Sequence, residues 1–249
     1  EAFDMKKFIA TIKDLDLSEQ LPQLIAAGIV SFKIEGRLKD VVYVKNNTSY
    51  LRKKLDAFLE GNEKYVKASS GRILYNFEPQ MDRSFNRGYT DYFANERKEK
   101  IGSWESPKSK GQIIGKLISI KGNAYQIENA DKLKNGDGLY FLNDEGIADG
   151  AFVNKVENGL VYFNAPKSIA NGTAIFRNLD AEFNKLVERE DSTIRKISVK
   201  LLLSETADGF QLKAIDEDGC ESVASFVHPK EQTKNNESII PNIKTNLLR

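Results

Sequence analysis

A run of ten residues, SFKIEGRLKD at 31–40, places three charged side chains at alternate positions. If the run is a β-strand, successive side chains point to opposite faces, so Lys33, Glu35 and Arg37 share one face. Burying three charges on one face of a strand is costly. The charged face is therefore either the rim of an active site or a structural salt-bridge network at a solvated strand end, and the residues alone leave both open.

A second candidate lies at SFNRGYTDYF, residues 84–93, where basic and aromatic side chains are interleaved. Its candidate substrate- or RNA-binding residues, together with the preceding arginine, are Arg83, Phe85, Asn86, Arg87 and Tyr89. Such residues pin phosphates and stack on unpaired bases. The alternative is that the aromatics fill a core this stretch otherwise lacks, with the arginines paired to Asp82 and Asp91.

Most other kinds of site are excluded by the sequence. It contains no HExxH, P-loop, GxSxG, Cys–His pair or GxGxxG. One cysteine, Cys220, excludes internal disulfides and any cysteine-based zinc or iron–sulfur site within this chain. The carboxylates at 216–218 and the NGDG run at 135–138 are typical of turns between strands. We therefore expect no metal site, and the chain is not a convincing free-standing enzyme.

Charge is balanced overall but not along the chain. The net charge is +1, so no global field favours nucleic acid, whereas residues 31–110 carry a net +6 and residues 111–249 a net −3. A local basic surface in the first half is one explanation, and a solvated charged face is the other. No run approaches the ~18 apolar residues of a membrane span, and the given residues contain no stretch like the apolar h-region of a signal peptide. We expect a cytoplasmic protein.

Strands and helices alternate at the start of the chain. KKFIATI (6–12) predicts a short strand, 17–28 a helix ended by Gly28, and SFKIEG a second strand. A long helix follows, with one apolar face and an end at Gly61. Its predicted face is formed by Val41, Val44, Thr48, Leu51, Leu55 and Phe58. We expect residues 1–61 to be the β-α-β-α end of an α/β layer or barrel.

The remaining blocks differ in character. Residues 62–110 lack periodicity and predict an irregular connecting segment. Residues 111–178 contain short β-rich runs separated by turn residues, which predicts a small antiparallel β-barrel with a hairpin turn at Asn158-Gly159. Residues 179–227 predict a helix and a three-stranded antiparallel meander, and residues 228–249 a polar tail that is a mobile arm or a cut-off helix. The fold class is thus α+β and multidomain.

Taken together, AAGIVSFKIEGRLKD, the YVKNNTSYLRKKLDAF helix, SFNRGYTDYF and NGDGLYF resemble the C-terminal part of the collagenase-like peptidase family U32. The resemblance runs from about residue 8 to residue 226. Members of that family include proteins regarded as peptidases and others that act as prephenate-dependent hydroxylases of ribosomal or transfer RNA. The resemblance implies that SFKIEGR is the last strand of an eight-stranded α/β barrel, the rest of which lies upstream.

That family likeness gives the charged face a role. Lys33, Glu35 and Arg37 would line the barrel mouth as candidate catalytic residues, because barrel enzymes place their chemistry at the C-terminal ends of strands. An arginine there clamps a carboxylate or phosphate, and Glu35 holds it in place. Many members carry a cysteine at the position that Asp16 occupies in this chain. That cysteine resembles a ligand of an iron–sulfur cluster, and a carboxylate is a poor substitute for thiolate. We therefore expect no cofactor in this chain.

Three hypotheses about function follow. The first is that the chain is the accessory, substrate-recognition portion of a larger bacterial family U32 protease or RNA hydroxylase, whose upstream barrel is its main partner and RNA a possible one. The second is an autonomous RNA-binding module, with binding that weakens steeply with salt. The third is a protein-interaction scaffold. We favour the first, in which this chain alone is inactive.

Overall fold

The computed structural model describes residues 11–97, 100–103, 107–230 and 236–247. It combines α-helices and β-strands, which confirms the mixed class expected from the sequence. The helices are α1 (Leu21–Ala26), α2 (Val41–Glu60), α3 (Ala181–Glu188) and α4 (Asn236–Leu247). The strands before the barrel are β1 (Thr11–Ile12), β2 (Asp14–Leu15), β3 (Arg72–Tyr75), β4 (Tyr89–Thr90) and β5 (Gly102–Ser103).

The six strands that follow are β6 (Gln112–Lys121), β7 (Ala124–Ile127), β8 (Gly138–Leu142), β9 (Ala148–Glu157), β10 (Leu160–Phe163) and β11 (Ala174–Leu179). The last four strands are β12 (Thr193–Lys196), β13 (Val199–Glu205), β14 (Gly209–Asp216) and β15 (Glu221–Val227). The chain divides into two compact units, one from residues 1–67 and 73–194 and the other from 68–72 and 195–249.

The first unit is dominated by a closed barrel with the strand order β10-β7-β6-β11-β8-β9, and every pairing in it is antiparallel. Side chains alternate along each strand, so one set points inward and forms a single apolar core. That core includes Leu117, Phe141, Val153, Val161 and Ile175, each no more than 1% exposed. The Asn158-Gly159 turn has φ values of +51° and +75°, as a tight two-residue hairpin requires.

Helix α2 begins at Asp40, whose carboxylate accepts the backbone N–H of Tyr43 at 2.7 Å. It ends at Gly61, as the sequence predicts. The face it buries differs from the predicted one: Val42, Asn46, Asn47 and Ser49 are buried, whereas Val41 and Val44 are about half exposed. Asn46 explains the difference, because its amide exchanges hydrogen bonds with the backbone of Gln80 at 2.6 and 2.9 Å.

The strand predicted at SFKIEG is not formed among the described residues. Residues 31–36 form no strand, and Arg37 and Leu38 lie in a turn. A strand exists through hydrogen bonds to a neighbouring strand, and none of the described residues pairs with this segment. In the first block the described strand residues are Thr11–Ile12, which pair with β5, and Asp14–Leu15, which pair in parallel with β4. The α/β-barrel remnant therefore stays a prediction, and residues 6–10 of its first strand lie outside the described residues.

Residues 62–110 are less irregular than the sequence predicts, since β3, β4 and β5 lie within them. In the second unit, β13, β14 and β15 form an antiparallel sheet in chain order, with Gly219 in the second turn at φ +81°. The polar tail contains helix α4, and Pro241 lies inside this helix. No helix in the described part of the chain is both long and apolar enough to cross a bilayer.

Candidate functional site

The charged residues predicted to line a barrel mouth lie on the surface. Lys33 Nζ is 3.5 Å from Glu35 Oε2, with the two side chains 88% and 70% exposed. Arg37 joins them through its backbone N–H, which donates to Glu35 Oε1 at 3.3 Å. The structure thus brings Lys33 and Glu35 together at a solvated turn, and Arg37 contributes its main chain to the same turn.

One phenol connects this turn to the second candidate group. Tyr43, in the first turn of α2, donates its hydroxyl to the backbone carbonyl of Glu35 at 3.2 Å. Burial raises the pKa of Tyr43 above its usual range, and the negative charge of Asp14 adds to the rise. Six residues gather here, and we call them the Asp14 cluster: Asp14, Lys39, Tyr43, Phe85, Arg87 and Tyr89.

The centre of the cluster is an ion pair. Arg87 Nη2 lies 2.7 Å from Asp14 Oδ1 and its Nε 3.3 Å from Oδ2, while its backbone N–H donates to Oδ2 at 2.7 Å. The remaining nitrogen, Nη1, donates to Thr11 Oγ1 at 2.7 Å. The hydrogen bond to Asp14 raises the pKa of Arg87. This guanidinium is engaged within the protein, so its demonstrable role is to hold the SFNRGYT segment against β2.

Lys39 contributes a positive charge to the Asp14 cluster and contacts the ring of Phe85. The Lys39 ammonium lies 3.1 Å from the centroid of the Phe85 ring, close to the ring face that attracts cations. Partial burial lowers the pKa of Lys39 below its usual range, and the charge of Arg87 lowers it further against the opposing effect of Asp14. The carboxylate of Asp40 also opposes the fall in the pKa of Lys39.

Tyr89 supplies a buried hydroxyl. Its oxygen is inaccessible to solvent and has no hydrogen-bond partner among the described residues. Burial raises the pKa of Tyr89, and the nearby carboxylates Asp82, Asp16 and Asp14 raise it further, so the phenol remains protonated. An unpartnered donor without access to solvent is a desolvated polar group, which costs free energy in the folded chain.

Two of the predicted binding residues have structural roles. Asn86 is 2% exposed; its amide donates to the carbonyls of Ser84 and Asp82 at 3.1 and 3.3 Å and its oxygen accepts the N–H of Gly88. Arg83 lies apart from the Asp14 cluster. Its Nη2 is 2.5 Å from Asp180 Oδ2, and its guanidinium carbon lies 4.1 Å from the ring centroid of Phe183.

Asp82 and Asp91, the partners named in the alternative interpretation, are not the ones observed: Arg87 pairs with Asp14, and Arg83 with Asp180. Both partners are distant in sequence, so nothing local identifies them.

A buried ionic network was missed altogether. Asp137, which the sequence places in a turn, is 0% exposed and accepts the N–H groups of Lys134 and Ala181 at 3.0 Å each. Arg177 lies between two carboxylates, 2.8 Å from Asp180 Oδ2 and 3.4 Å from Asp137 Oδ2. Asp180 also caps α3 through the N–H of Phe183. The network joins the barrel to α3, and through Arg83 to the segment before the Asp14 cluster.

The position that resembles an iron–sulfur ligand does not suit that group. Asp16 Oδ1 accepts the backbone N–H of Ser18 at 2.9 Å, so the carboxylate already serves the turn before α1. Within the described residues no three histidine, cysteine or acidic side chains gather as a metal site would require. The Asp16 carboxylate is a hard oxygen ligand, whereas an iron–sulfur cluster is held by thiolates.

Comparison with known proteins identifies the family. Residues 1–104 match the profile of peptidase family U32, and these residues include SFKIEGR, the Asp14 cluster and α2. The 23S rRNA 5-hydroxycytidine C2501 synthase of Escherichia coli is 32% identical over 98% of this chain. The chain belongs to peptidase family U32.

Other relatives match a shorter part of the chain. The tRNA hydroxylation protein P1 of Bacillus subtilis is 27% identical over 55% of it, and a collagenase of Porphyromonas gingivalis is 28% identical over 61%. The chain spans 38%, 32% and 41% of these three relatives, respectively. No solved structure matches the chain significantly.

Proposed function

We propose that this chain is the C-terminal, substrate-recognition portion of a family U32 enzyme that hydroxylates RNA, and that it is not catalytically complete alone. The observation that carries the proposal is the extent of one match. Similarity to the E. coli rRNA hydroxycytidine synthase continues through 98% of the chain, whereas the family profile ends at residue 104. The β-barrel and the sheet after it therefore lie in the part shared with an RNA-directed enzyme.

The proposed partner is an α/β barrel in the same polypeptide. The SFKIEGR segment has no strand neighbour among the described residues, and it exposes several apolar side chains that a barrel wall would cover. Val30 and Leu38 are each 96% exposed, and Phe32 and Ile34 are 39% and 38% exposed. Exposed apolar groups this close together in sequence favour burial against another surface. On this proposal the segment forms the last barrel strand once its neighbours are present.

Within that assembly, Lys33, Glu35 and Arg37 reach the barrel mouth and act on the substrate. Glu35 has a carboxylate beside the Lys33 ammonium, so the pair presents both a base and a cation. The Asp14 cluster lies beside them through Tyr43, and its Lys39 ammonium suits the phosphate oxygens of RNA. Asp16 supplies no cluster ligand, so any redox group is held elsewhere. Ribosomal and transfer RNA are cytoplasmic, and we place the protein there.

The test is a comparison of nucleosides by mass spectrometry. Ribosomal and transfer RNA from source cells with the gene intact are compared with RNA from cells in which the gene is disrupted. We expect one nucleoside that is heavier by one oxygen atom to disappear on disruption and to return with the wild-type gene. Unchanged nucleosides would overturn RNA hydroxylation and leave the peptidase activity suggested by the collagenase relatives.

The same strains test the catalytic residues. Complementation with Glu35→Gln, which removes the negative charge and keeps the shape, should restore less than a tenth of the modified nucleoside. Glu60→Gln, at the exposed end of α2, is the matched control and should restore it fully. Full restoration by Glu35→Gln would remove Glu35 from the site.

A further inference from the structure

Strand β15 is an outer strand of the β13-β14-β15 sheet, and all seven of its residues are exposed. Its register against β14 is unbroken from Glu221 opposite Ile215 to Val227 opposite Gly209. Outer strands usually carry a bulge, a proline or a charge that keeps other strands away, because an unprotected edge is a template for pairing. All three are missing from residues 222–227, each of which the structure describes.

Hydrogen bonds at the two ends of β15 fix which of its backbone groups face outward. The N–H of His228 donates to the carbonyl of Asp208, and the N–H of Asp216 donates to the carbonyl of Cys220, at 3.0 Å each. Bonded pairs in an antiparallel ladder recur at every second residue, so the even-numbered residues of β15 are bonded to β14. The odd-numbered residues point their N–H and C=O groups away from the sheet: Glu221, Val223, Ser225 and Val227. None of these groups has a hydrogen-bond partner in the described part of the chain.

These four residues are placed symmetrically about Ala224. If two copies of β15 run antiparallel and cross at Ala224, position 221 of one copy lies opposite 227 of the other, and 223 lies opposite 225. Every outward N–H and C=O group then has a partner. A shift of the register by two residues in either direction leaves one end residue of each strand without a strand partner. The backbone of β15 is therefore fully self-complementary in one register.

The side chains of β15 fit the same register. Phe226, which is 53% exposed, falls opposite Ser222 of the second copy. Val223, also 53% exposed, falls opposite Ser225. Ala224 meets its own counterpart at the axis, in a non-hydrogen-bonded pair, where side chains come closest. Each large side chain thus meets a small one.

Charge favours β15 over the other outer strand of the sheet. Glu221 is the one charged residue of β15, and two copies would hold their Glu221 carboxylates six positions apart, about 20 Å. Each of these carboxylates is paired with Lys213 of its own chain at 2.7 Å. In contrast, β13 contains Lys200 and Glu205, both exposed, and a lysine on an edge strand is a common defence against pairing. Like charges therefore do not meet when β15 pairs with itself.

We propose that two copies of this chain associate through β15, antiparallel and in register about Ala224, so that their sheets form one six-stranded sheet with a two-fold axis. Strand addition at an exposed edge takes its affinity from main-chain hydrogen bonds and its specificity from the fit of side chains. The contact involves seven residues a side, fewer than the roughly 20–30 of a standard interface. The dimer is therefore weak and dissociates on dilution. Its formation does not depend on the nature of the substrate.

The first test is disulfide cross-linking at the axis. The Ala224 residues of the two copies would have Cα atoms about 4.5 Å apart, within the range that a disulfide spans. In a Cys220→Ser background, which removes the exposed native thiol, Ala224→Cys should give a covalent dimer under mild oxidation on a non-reducing gel. Ser222→Cys is the matched control, because its two thiols would lie four positions apart, about 14 Å, and it should remain monomeric.

Sedimentation velocity tests the dimer without a new cysteine. The mass of the wild-type chain should rise from 28.0 kDa toward twice that value between about 5 and about 200 µM. Val223→Lys adds a positive charge to the edge of each copy and should raise the dissociation constant by about tenfold or more. Val199→Lys on β13 replaces an equally exposed valine, at 53%, and should leave the constant unchanged. Circular dichroism confirms that each variant is folded.

Three results would overturn the proposal. A wild-type chain that stays at 28.0 kDa over the whole concentration range would show that the β15 edge does not pair between copies. A dimer whose dissociation constant is unchanged by Val223→Lys would place the contact on another surface. Cross-linking of Ser222→Cys as efficient as that of Ala224→Cys would reject the register about Ala224.

Discussion

Arg87 and Asp14, separated by 73 positions in the sequence, meet through two side-chain hydrogen bonds, of 2.7 Å from Nη2 to Oδ1 and 3.3 Å from Nε to Oδ2. Their side chains are 28% and 18% exposed, so the pair is only partly screened by water. The pair fixes the SFNRGYT segment beside β2 and places Phe85 under Lys39. An arginine that looks like an RNA contact in the sequence is, in the structure, part of the framework of its site.

Removing that arginine should therefore cost stability. Arg87→Ala leaves Asp14 without its charged partner, and we expect the free energy of unfolding to fall by about 2 kcal/mol in urea denaturation. The exposed Arg97→Ala is the control and should change it by less than about 0.5 kcal/mol. The double variant Asp14→Ala/Arg87→Ala should lose less than the sum of the two single variants. Additive losses would show that the pair contributes nothing.

The buried network around Asp137 should be more sensitive. Asp137→Ala removes the acceptor of two backbone N–H groups and one of the two carboxylates beside Arg177. We expect a loss of about 3–5 kcal/mol, the usual cost of breaking a buried ion pair on one side. Asp131→Ala, at an exposed position six residues earlier, is the control. A loss below about 1 kcal/mol from Asp137→Ala would contradict the network.

Replacing Tyr89 should not lower the stability of the chain, in contrast to the two substitutions above. Its buried hydroxyl has no partner in the described structure, so Tyr89→Phe removes a desolvated polar atom without removing a hydrogen bond. We expect the thermal midpoint of the isolated chain to stay the same or to rise by a few degrees. A clear fall in the midpoint would reveal a hydrogen bond that the structure does not contain.

The Lys167–Asp149 pair predicts a dependence on pH. The hydrogen bond from Lys167 lowers the pKa of Asp149 in the folded chain, so the unfolded chain takes up this proton first as the pH falls. The stabilisation is therefore complete above the pKa of an unfolded aspartate, about 3.9, and is lost below it. Urea midpoints of the wild type and Asp149→Asn should differ most at pH 6 and converge toward pH 3. A difference that is constant over this range would contradict the assignment.

Local sequence patterns predicted the ends of helices and the turns better than they predicted which residues pack against them. The end of α2 follows from Gly61, and the hairpin at Asn158-Gly159 follows from residues that accept positive φ values. The buried face of α2 could not be predicted, because Asn46 is buried through hydrogen bonds to Gln80, 34 residues away. Periodicity records which side chains are apolar and contains no information about such a partner.

The candidate site shows the same limit. Composition drew attention to Lys33, Glu35, Phe85 and Arg87. The structure brings Arg87 to Asp14 and near Phe85, and the backbone of Glu35 to Tyr43. The partners of the arginines were not predictable, since Asp14 and Asp180 are brought near them only by the fold.

The central claim is that this chain works as part of a longer RNA-directed enzyme, and the size of the native polypeptide tests it most directly. An antibody raised to residues 111–226 should detect one band in source cells by immunoblot. We predict a band at more than twice the 28.0 kDa of this chain, since the chain spans 32–41% of the three relatives compared. A single band at 28 kDa would contradict the claim and leave the barrel as an autonomous RNA-binding module or a scaffold.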